Sequence, residues 1–344
     1  MRITRILGVL EPGGAQLSAL RLARAQAALG VETRLLAGDA TLPGVALARH
    51  FGFDVDALRL HDEIGHSPRQ WTIDEQFARW IQPRLESTDL VHAHMFGAWC
   101  AAARVVPPDV PLVASEHNTL TWPLGDHAKA GRRISARVDR FFVHGPAART
   151  FARDMRVDPS SVLPGRSAIT PHTTPRPGLH SPRLTFTGRL REDKGPDLLL
   201  HALATMNNPP RSYLVGDGPM RRRLGQLVDE LDLRRVVHLT GWSHEPGRYV
   251  AGAAVHVVPS REEAWSQSAV TALALGVPVV ATAVDGLPDT LARRRGLLVD
   301  PHPEAIAAGI EAVLNGSADI DQAEGKRYAV AFLPSEIAAD YFAV

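Results

Sequence analysis

Short apolar, β-rich runs alternate with longer stretches of helical period along almost the whole chain. In the first half, the strand-like runs are Ile3–Leu10, Glu32–Leu36, Leu90–His92, Leu112–Ser115 and Arg140–Val143, and helical stretches include Gly14–Leu29, Asp74–Glu86 and Pro146–Arg156. In the second half, the strands are Arg183–Thr187, Ser212–Val215, Val236–Leu239, Val255–Val258 and Val279–Ala281, and the helices are Pro196–Thr205, Pro219–Glu230, Ser266–Leu275 and Glu304–Leu314. This alternation predicts an α/β fold with doubly wound parallel sheets.

The alternation is interrupted between Ser161 and Pro182 by a region with five prolines and no periodicity. We interpret this region as a linker, since 344 residues exceed the usual size of one domain. The sequence therefore predicts one domain over residues 1–165 and a second over residues 166–329. A ligand is expected at the carboxyl ends of the strands, where doubly wound sheets bind their ligands.

Composition and charge narrow the range of functions. The net charge is +1, so no overall field favours nucleic acid or an anionic membrane, and neither partner is expected. Cys100 is the only cysteine, which excludes an internal disulfide and is typical of a cytoplasmic protein. The longest apolar run, Val270–Val284, is too short for a membrane span. The N-terminal run is interpreted as a buried strand rather than a signal peptide.

A basic glycine turn follows the first strand of the second half. Lys194 is one of three lysines in a chain that otherwise uses arginine, and it follows Gly188 and Arg189 on the way into a helix. A lysine there favours a site that needs a compact point charge. Two cations and a helix N-terminus after a strand indicate an anion site, most simply for a diphosphate. The alternative is a helix-capping turn with a solvated basic pair.

Polar residues also follow strands of the first half. The pair Gly13-Gly14 lets the backbone approach a ligand closely, although a tight strand-to-helix turn explains it equally well. His92, His94 and His117 stand at or just past predicted strand ends. They could provide three zinc ligands, but polar contacts to a sugar are favoured, and a satisfied buried histidine is the better interpretation of His92.

The later strands of the second half end in further turns. Val215 leads into Gly216-Asp-Gly218, and Thr240 leads into Gly241-Trp242. The fourth strand ends in Pro259-Ser-Arg-Glu-Glu263, where a carboxylate suits vicinal hydroxyls and the following helix start can donate N–H groups to phosphate. The two Asp-x-Asp strings, at Asp54 and at Asp319, could hold a divalent cation, but chance is the better explanation.

The order of these motifs resembles the retaining glycosyltransferases of family 4, which have the GT-B fold. The resemblance implies two Rossmann-like domains that face each other across a cleft, with the acceptor in the first and a nucleotide sugar in the second. The implied catalytic residues are His117, which contacts the donor sugar, Arg189 and Lys194, which grip the diphosphate, and Glu263, which contacts the sugar hydroxyls. The implied donor-binding residues are Gly13, Gly14, Gly188, Gly218, Gly241, Trp242, Ser266, Gln267, Ser268 and Thr271.

The same resemblance sets expectations for ligands and for the C-terminus. It implies no metal and no cofactor other than a nucleotide-sugar donor, most simply a UDP-sugar, together with a sugar-containing acceptor. It also implies that the last residues, 330–344, cross back onto the first domain. Among family members, the chain most resembles antibiotic-tailoring transferases of actinomycetes, of the kind that act in avilamycin-type orthosomycin biosynthesis.

The chain departs from the family at two places. Eight residues after Glu263, the family has a second glutamate that holds the ribose diol, and this chain has Thr271. The change removes one charge-assisted hydrogen bond, on the order of 1.5–3 kcal/mol. The family's Pro-Asn-Gly near the linker is replaced by Leu163-Pro-Gly-Arg166. These departures concern the identity of the donor more than the fold.

Three other interpretations stay open at the sequence level. A nucleotide-sugar 2-epimerase shares the two-domain architecture, and a degenerate, non-catalytic partner protein would explain Thr271. The third is a peripheral-membrane transferase, suggested by Lys129, Arg132, Arg133 and Arg137 beside Trp122 and Phe141. With so modest a basic run, a solvated helix face is the preferred interpretation.

Overall fold

The computed structural model describes residues 1–62, 73–117, 126–181 and 183–341. The chain forms two compact units, residues 1–168 with 334–344, and residues 169–333. The predicted boundary, at residue 165, lies three positions before the division between the units. Elements are numbered in chain order. None of the helices in the described ranges is both long and apolar enough to cross a bilayer.

The first unit is a parallel sheet with helices between its strands. Its strands are β1 (Arg2–Leu10), β2 (Glu32–Thr41), β3 (Val55–His61), β4 (Leu90–His94), β5 (Leu112–Glu116), β6 (Arg140–Val143) and β7 (Val162–Pro164). Its helices are α1 (Gly14–Ala27), α2 (Leu42–His50), α3 (Glu75–Ile81), α4 (Phe96–Ala102), α5 (Asp126–Ile134) and α6 (Pro146–Asp154). The strand order is β3-β2-β1-β4-β5-β6-β7, so the order reverses between β1 and β4.

The second unit repeats this plan. Its strands are β8 (Arg183–Thr187), β9 (Arg211–Val215), β10 (Val237–Gly241), β11 (Val255–Val258), β12 (Val279–Thr282) and β13 (Leu297–Val299). Its helices are α7 (Pro196–Thr205), α8 (Arg221–Glu230), α9 (Gly247–Val250), α10 (Gln267–Ala274), α11 (Leu287–Leu291), α12 (Pro303–Leu314) and α13 (Gln322–Val330). The order is β10-β9-β8-β11-β12-β13, again all parallel, and it reverses between β8 and β11. The predicted class, two doubly wound parallel-sheet domains, is confirmed.

Each sheet has its own apolar core. In the first unit, Trp99, Phe96 and Phe141 are fully buried on one face of the sheet. In the second unit, Leu184 on β8 and Leu214 on β9 pack with leucines of α7 and α8. These cores fix the strands whose carboxyl ends carry the candidate site.

The C-terminal segment belongs to the first unit. Helix α14 (Pro334–Ile337) contacts α1, and Gln26 Nε2 donates to the Ala338 carbonyl at 3.1 Å. The Tyr341 hydroxyl donates to the Arg166 carbonyl at 3.1 Å. These contacts anchor the C-terminal segment to α1 and to the residues that follow β7.

Some elements differ from the sequence prediction. The pattern gave no strand at β3, because polar residues such as Asp56 and Arg59 alternate along this edge strand. Strand β7 lies inside the proposed linker and ends at Pro164, where an edge strand tolerates a missing donor. The predicted helix Asp74–Glu86 is shorter, because Pro83 turns its last residues into a 3-10 turn.

Candidate active site

The carboxyl ends of β8 and β11 carry the residues predicted to bind the diphosphate and the sugar of a nucleotide-sugar donor. These strands are neighbours at the reversal of strand order in the second unit, the usual ligand position in a doubly wound sheet. Arg189 and Lys194 lie on the loop after β8, and both are half-buried. The loop ends at Gly195, whose φ is +61° and where a Cβ would lie 1.9 Å from the Pro259 carbonyl oxygen. Glycine therefore allows this loop to pack against the loop after β11.

Lys194 and Glu263 form a direct ion pair. Lys194 Nζ donates to Glu263 Oε2 at 3.0 Å, and the side chains are 26% and 11% exposed. Ser260 Oγ lies 3.4 Å from the same carboxylate oxygen. Burial raises the pKa of Glu263, and the ammonium of Lys194 opposes that rise. The fold thus brings together two residues that were predicted to act on the same ligand.

The loop after β8 is also tied to the loop after β11 by Arg261. Its guanidinium binds both carboxylate oxygens of Asp197, at 2.9 and 2.7 Å, and donates to the Glu192 carbonyl at 2.9 Å. The backbone N–H of Arg261 donates to the Asp193 carbonyl at 2.8 Å. A bidentate pair of this kind fixes geometry as well as charge. Sequence analysis missed it, since 64 residues separate the partners.

The other glycine turns of the second unit serve loop packing. A Cβ on Gly216 would lie 1.8 Å from the Gly188 carbonyl oxygen, and one on Gly218 would lie 2.6 Å from the Leu190 carbonyl oxygen. Both glycines have φ near +150°. They are required by the packing of the β9 loop on the β8 loop, independently of any ligand.

The loop after β10 carries the predicted donor contacts Gly241 and Trp242. Gly241 has φ +80°, and its carbonyl accepts from the Gly216 N–H at 2.9 Å. The Trp242 side chain is 36% exposed at the same end of the sheet as the Lys194–Glu263 pair. An exposed aromatic ring at that edge is available to a planar ligand.

The start of α10 is capped by its own side chains. Ser266 Oγ accepts from the Ala269 N–H at 3.3 Å and lies 3.1 Å from Ser268 Oγ. Thr271 Oγ1 donates to the Gln267 carbonyl at 2.7 Å, one turn earlier in the helix. The hydroxyl proton of Thr271 is therefore engaged within the helix, and Thr271 can only accept from a ligand. The difference from the family, which has a carboxylate at this position, is therefore larger than the exchange of a carboxylate for a free hydroxyl.

In the first unit, Gly13-Gly14 connects β1 to α1. Gly13 has φ −166°, extended backbone that any residue adopts, and its carbonyl accepts from the Leu17 N–H at 2.9 Å. The backbone conformation thus does not require glycine at position 13. A role in close approach to a ligand stays a prediction.

A buried arginine fixes two histidines of the first unit. Arg5, on β1, is fully buried, and its Nη1 lies 3.0 Å from both His92 Nδ1 and His94 Nε2. Since a guanidinium only donates, both of these ring nitrogens are unprotonated acceptors. His92 therefore carries its proton on Nε2, which donates to Ser115 Oγ at 2.8 Å, and His94 carries its proton on Nδ1. Burial, reinforced by nearby positive charge, lowers the pKa of both histidines well below its usual value.

Four histidine rings form a row at the carboxyl ends of β4, β5 and β6. The centroids of His92 and His94 are 4.2 Å apart, those of His94 and His117 are 6.0 Å apart, and those of His117 and His144 are 3.7 Å apart. His144 Nδ1 lies 3.0 Å from Ser167 Oγ. Burial lowers the pKa of His117 to about 3, so this predicted catalytic residue is a neutral imidazole at pH 7. His92, His94, His117 and His144 together form the histidine row.

The geometry does not support a zinc site made of His92, His94 and His117. The ring nitrogens of His92 and His94 that face Arg5 cannot bind a cation as well, and the rings stack rather than converge. Within the described ranges, no group of three histidine, cysteine or carboxylate side chains is arranged to hold a metal ion.

The Asp-x-Asp strings take part in local contacts instead. Asp56 accepts from Arg84 Nε at 2.7 Å, and Asp319 accepts from Arg294 Nη1 at 2.8 Å. Asp321 caps α13 by accepting from the Glu324 N–H at 2.9 Å. Each of these three carboxylates thus has a structural partner.

The basic surface considered for membrane contact is only partly formed. Arg132 on α5 donates from Nε to the Asp154 carbonyl at 2.8 Å. Phe141 is fully buried in the core, so its assignment to this surface is wrong. Trp122 lies outside the described residues.

Of the predicted catalytic residues, Lys194 and Glu263 are in contact, Arg189 shares the loop of Lys194, and His117 lies in the other unit. Sequence analysis missed Arg5, which fixes the tautomers of His92 and His94. It also missed the partner of the Glu263 backbone, Asp285, although its Asp-Gly pair is a turn signal.

Comparison with known proteins gives matches for both halves of the chain. Residues 12–165 match the family described as Glycosyltransferase Family 4, and residues 181–316 match Glycosyl transferases group 1. A D-inositol 3-phosphate glycosyltransferase of Corynebacterium efficiens is 32% identical over 194 residues, 52% of this chain and 43% of that protein. One of Frankia alni is 28% identical, over 85% of this chain and 83% of its own length. The first of these alignments thus spans less than half of the relative.

Solved structures agree on the fold. The structure of Anabaena HepE in complex with UDP and glucose has a TM-score of 0.79 and 18% identity, and the match covers 100% of this chain and 98% of HepE. The two parallel sheets and this likeness define the fold as GT-B. By the matches of its two halves, the chain belongs to the GT-B glycosyltransferases, with the Family 4 match in its first half and the group 1 match in its second.

Proposed function

We propose that the protein moves a glycosyl unit from a nucleotide-diphosphate donor to a hydroxyl of a sugar-containing acceptor, with retention and without a metal. The observation that carries this proposal is the Lys194–Glu263 pair at the strand-order reversal of the second unit. The pair places a cation that suits the diphosphate, Lys194, next to a carboxylate that suits the sugar hydroxyls, Glu263. Family membership and relatives named as glycosyltransferases support the same reaction.

The departing diphosphate gains negative charge as the glycosidic bond breaks. Lys194, together with Arg189 on the same loop, stabilises that charge more in the transition state than in the ground state, which is the condition for catalysis. The acceptor hydroxyl attacks the anomeric carbon, and its proton passes to the leaving phosphate. Positive side chains at this site supply the charge that a divalent cation supplies in metal-dependent transferases.

The neutral imidazole of His117 suits contact with an uncharged sugar. A neutral ring has one donor and one acceptor nitrogen, so it can either donate a hydrogen bond to a sugar hydroxyl or accept one from it. Burial keeps the ring uncharged over the physiological range. We assign His117 to the donor sugar on this basis.

UDP is the proposed donor nucleotide. HepE, whose fold this chain shares, was solved with UDP and with UDP-glucose, and a pneumococcal O-GlcNAc transferase of similar fold was solved with UDP and GlcNAc. We place the reaction in the cytoplasm and in antibiotic biosynthesis, the latter on the sequence resemblance to tailoring transferases alone. A gene deletion followed by analysis of the producer's glycosylated metabolites tests that placement.

Calorimetry with UDP, GDP and dTDP tests the donor site, followed by product analysis with UDP-sugars. A transferase gives a glycosylated acceptor, whereas a 2-epimerase changes the donor sugar when no acceptor is present. Binding of UDP with transfer to an acceptor is the expected result. Failure to bind any of the three nucleotides would overturn the proposal.

A partner protein without catalysis is the second candidate, and Thr271 is the observation that favours it. Because this residue is a threonine, the ribose lacks the carboxylate that family members offer, and the hydroxyl proton is already engaged by the Gln267 carbonyl. Such a protein binds none of the nucleotides. The same calorimetric experiment therefore separates it from the transferase.

A further inference from the structure

The backbone of Glu263 is held on both sides by the loop after β12. The Glu263 N–H donates to Asp285 Oδ2 at 2.8 Å. The Gly286 N–H donates to the Glu263 carbonyl at 3.0 Å. Two consecutive residues of one loop thus bind both peptide groups of the residue that pairs with Lys194.

The loop after β12 cannot easily shift away from Glu263. A Cβ on Gly286 would lie 2.0 Å from the Ala264 carbonyl oxygen, so backbone packs directly on backbone. Thr282 Oγ1 donates to the Ser260 carbonyl at 2.5 Å, which ties the end of β12 to the start of the same segment. The hydrogen bond from the Glu263 N–H to Asp285 is therefore accompanied by two other contacts between the same loops, one at Gly286 and one at Thr282.

Asp285 adopts a backbone conformation that L-residues rarely use. Its φ is +45°, in the left-handed region, where aspartate and asparagine are tolerated better than most other non-glycine residues. An aspartate in a turn ordinarily bonds to its own backbone two residues later. Here, an exposed side chain instead accepts from a residue 22 positions earlier, on the neighbouring strand's loop. The positive φ belongs to the turn Val284–Leu287, in which the Leu287 N–H donates to the Val284 carbonyl at 3.0 Å, while the Asp285 side chain bonds to the neighbouring loop.

We propose that Asp285 is a positioning residue that fixes the peptide plane of Glu263 and so directs the Glu263 carboxylate at the donor sugar. Lys194 and Ser260 orient the carboxylate itself, and Asp285 with Gly286 orients the backbone from which it projects. This inference rests on the proposed function for its catalytic consequence. The hydrogen bond to the Glu263 N–H can be tested without substrate.

Asp285→Gly removes the carboxylate and leaves the backbone unstrained, because glycine adopts a positive φ without steric cost. Asp285→Asn keeps an acceptor oxygen and tolerates the same conformation. Asp232→Gly is the matched control, since Asp232 is also exposed with φ +54° and lies in the same unit, in the turn after α8. Each protein is examined by amide hydrogen exchange at Glu263, by UDP calorimetry and by steady-state kinetics.

In Asp285→Gly, we expect faster exchange of the Glu263 amide and a fall in kcat of about tenfold or more, the scale of a misplaced catalytic group. UDP affinity and thermal stability should stay near wild type, because the diphosphate contacts remain. Asp285→Asn should recover most of kcat, and Asp232→Gly should match wild type throughout. A purely structural role would lower stability and leave the kcat of the folded protein unchanged.

The outcomes distinguish a failure of the positioning role of Asp285 from a failure of the proposed function. Wild-type kcat in Asp285→Gly, or unchanged exchange at the Glu263 amide, overturns the positioning role while transfer by the wild type upholds the proposed function. A wild-type protein that binds no nucleoside diphosphate overturns the proposed function itself, and with it the catalytic role of Asp285.

Discussion

Lys194 and Glu263, 69 residues apart in sequence, form a single ion pair where β8 meets β11. Each was assigned to a different part of one ligand, Lys194 to the diphosphate and Glu263 to the sugar. The ammonium of Lys194 and the carboxylate of Glu263 neutralise each other in a partly buried position. A donor must therefore share or displace this contact, which links the binding of the phosphate to the freedom of the carboxylate.

Replacing Lys194 by methionine should lower kcat by about 10²–10³-fold, the usual cost of removing a group that stabilises transition-state charge. The partly buried Glu263 loses its counter-ion, so its pKa should rise further. Steady-state kinetics on the folded variant, checked by circular dichroism, measures the effect. Lys326→Met is the control, since Lys326 is an exposed lysine on α13 in the same unit. Near-normal turnover in Lys194→Met would contradict the donor-site assignment.

The histidine row makes the first unit sensitive to acid. Unfolded histidines bind protons below a pH of about 6.5, whereas burial keeps those of the row neutral to much lower pH. The unfolded state then binds more protons, so the free energy of unfolding falls as the pH drops, by about 1.4 kcal/mol per pH unit for each such histidine. The loss should begin near pH 6.5 and continue toward pH 3.

Urea unfolding from pH 7.5 to pH 4.5, followed by hydrogen exchange to resolve the two units, tests this slope. The second unit contains His256, whose pKa burial lowers to about 3, but its described residues form no comparable row, so it should lose less stability. His144→Gln should reduce the slope of the first unit, and His50→Gln, at an exposed position, is the control substitution. Equal slopes in the two units would argue against neutral burial of the row.

Arg5 should impose opposite tautomers on neighbouring histidines. Because its guanidinium donates to Nδ1 of His92 and Nε2 of His94, we expect an Nε2–H ring at His92 and an Nδ1–H ring at His94. Long-range nitrogen–proton NMR spectra of protein with labelled histidine distinguish the two forms, with assignment by His92→Gln and His94→Gln. The exposed His201 serves as the reference. Finding the same tautomer at both positions would refute the geometry around Arg5.

The sequence allowed the local parts of the site to be predicted, but not the contacts that hold them together. Gly188 follows β8 directly and Lys194 lies on the same loop, so a glycine turn with a cation at a sheet edge could be inferred from neighbours in the chain. The bond from Arg261 to Asp197 and that from Glu263 to Asp285 join residues 64 and 22 positions apart, and no periodicity encodes such pairing. Arg5 lies in an apolar strand, where its burial depends on histidines that fold onto it from β4. Strand β3 was missed for a related reason, since an edge strand keeps polar residues that only the sheet explains.

Thr271 is the position where the donor site can be improved by substitution. In Thr271→Glu, a carboxylate replaces a hydroxyl whose proton is already engaged by the Gln267 carbonyl. If the ribose lies at this helix turn, the new charge-assisted hydrogen bond should strengthen UDP binding on the order of tenfold, corresponding to about 1.5 kcal/mol. Thr271→Val, which has the same shape without the hydroxyl, should leave the affinity unchanged, because the wild-type hydroxyl donates within the helix. Calorimetry with UDP compares the three proteins. Tighter binding in the glutamate variant alone would place the ribose at α10, whereas weaker binding in the valine variant would show that the wild-type threonine already contacts the nucleotide.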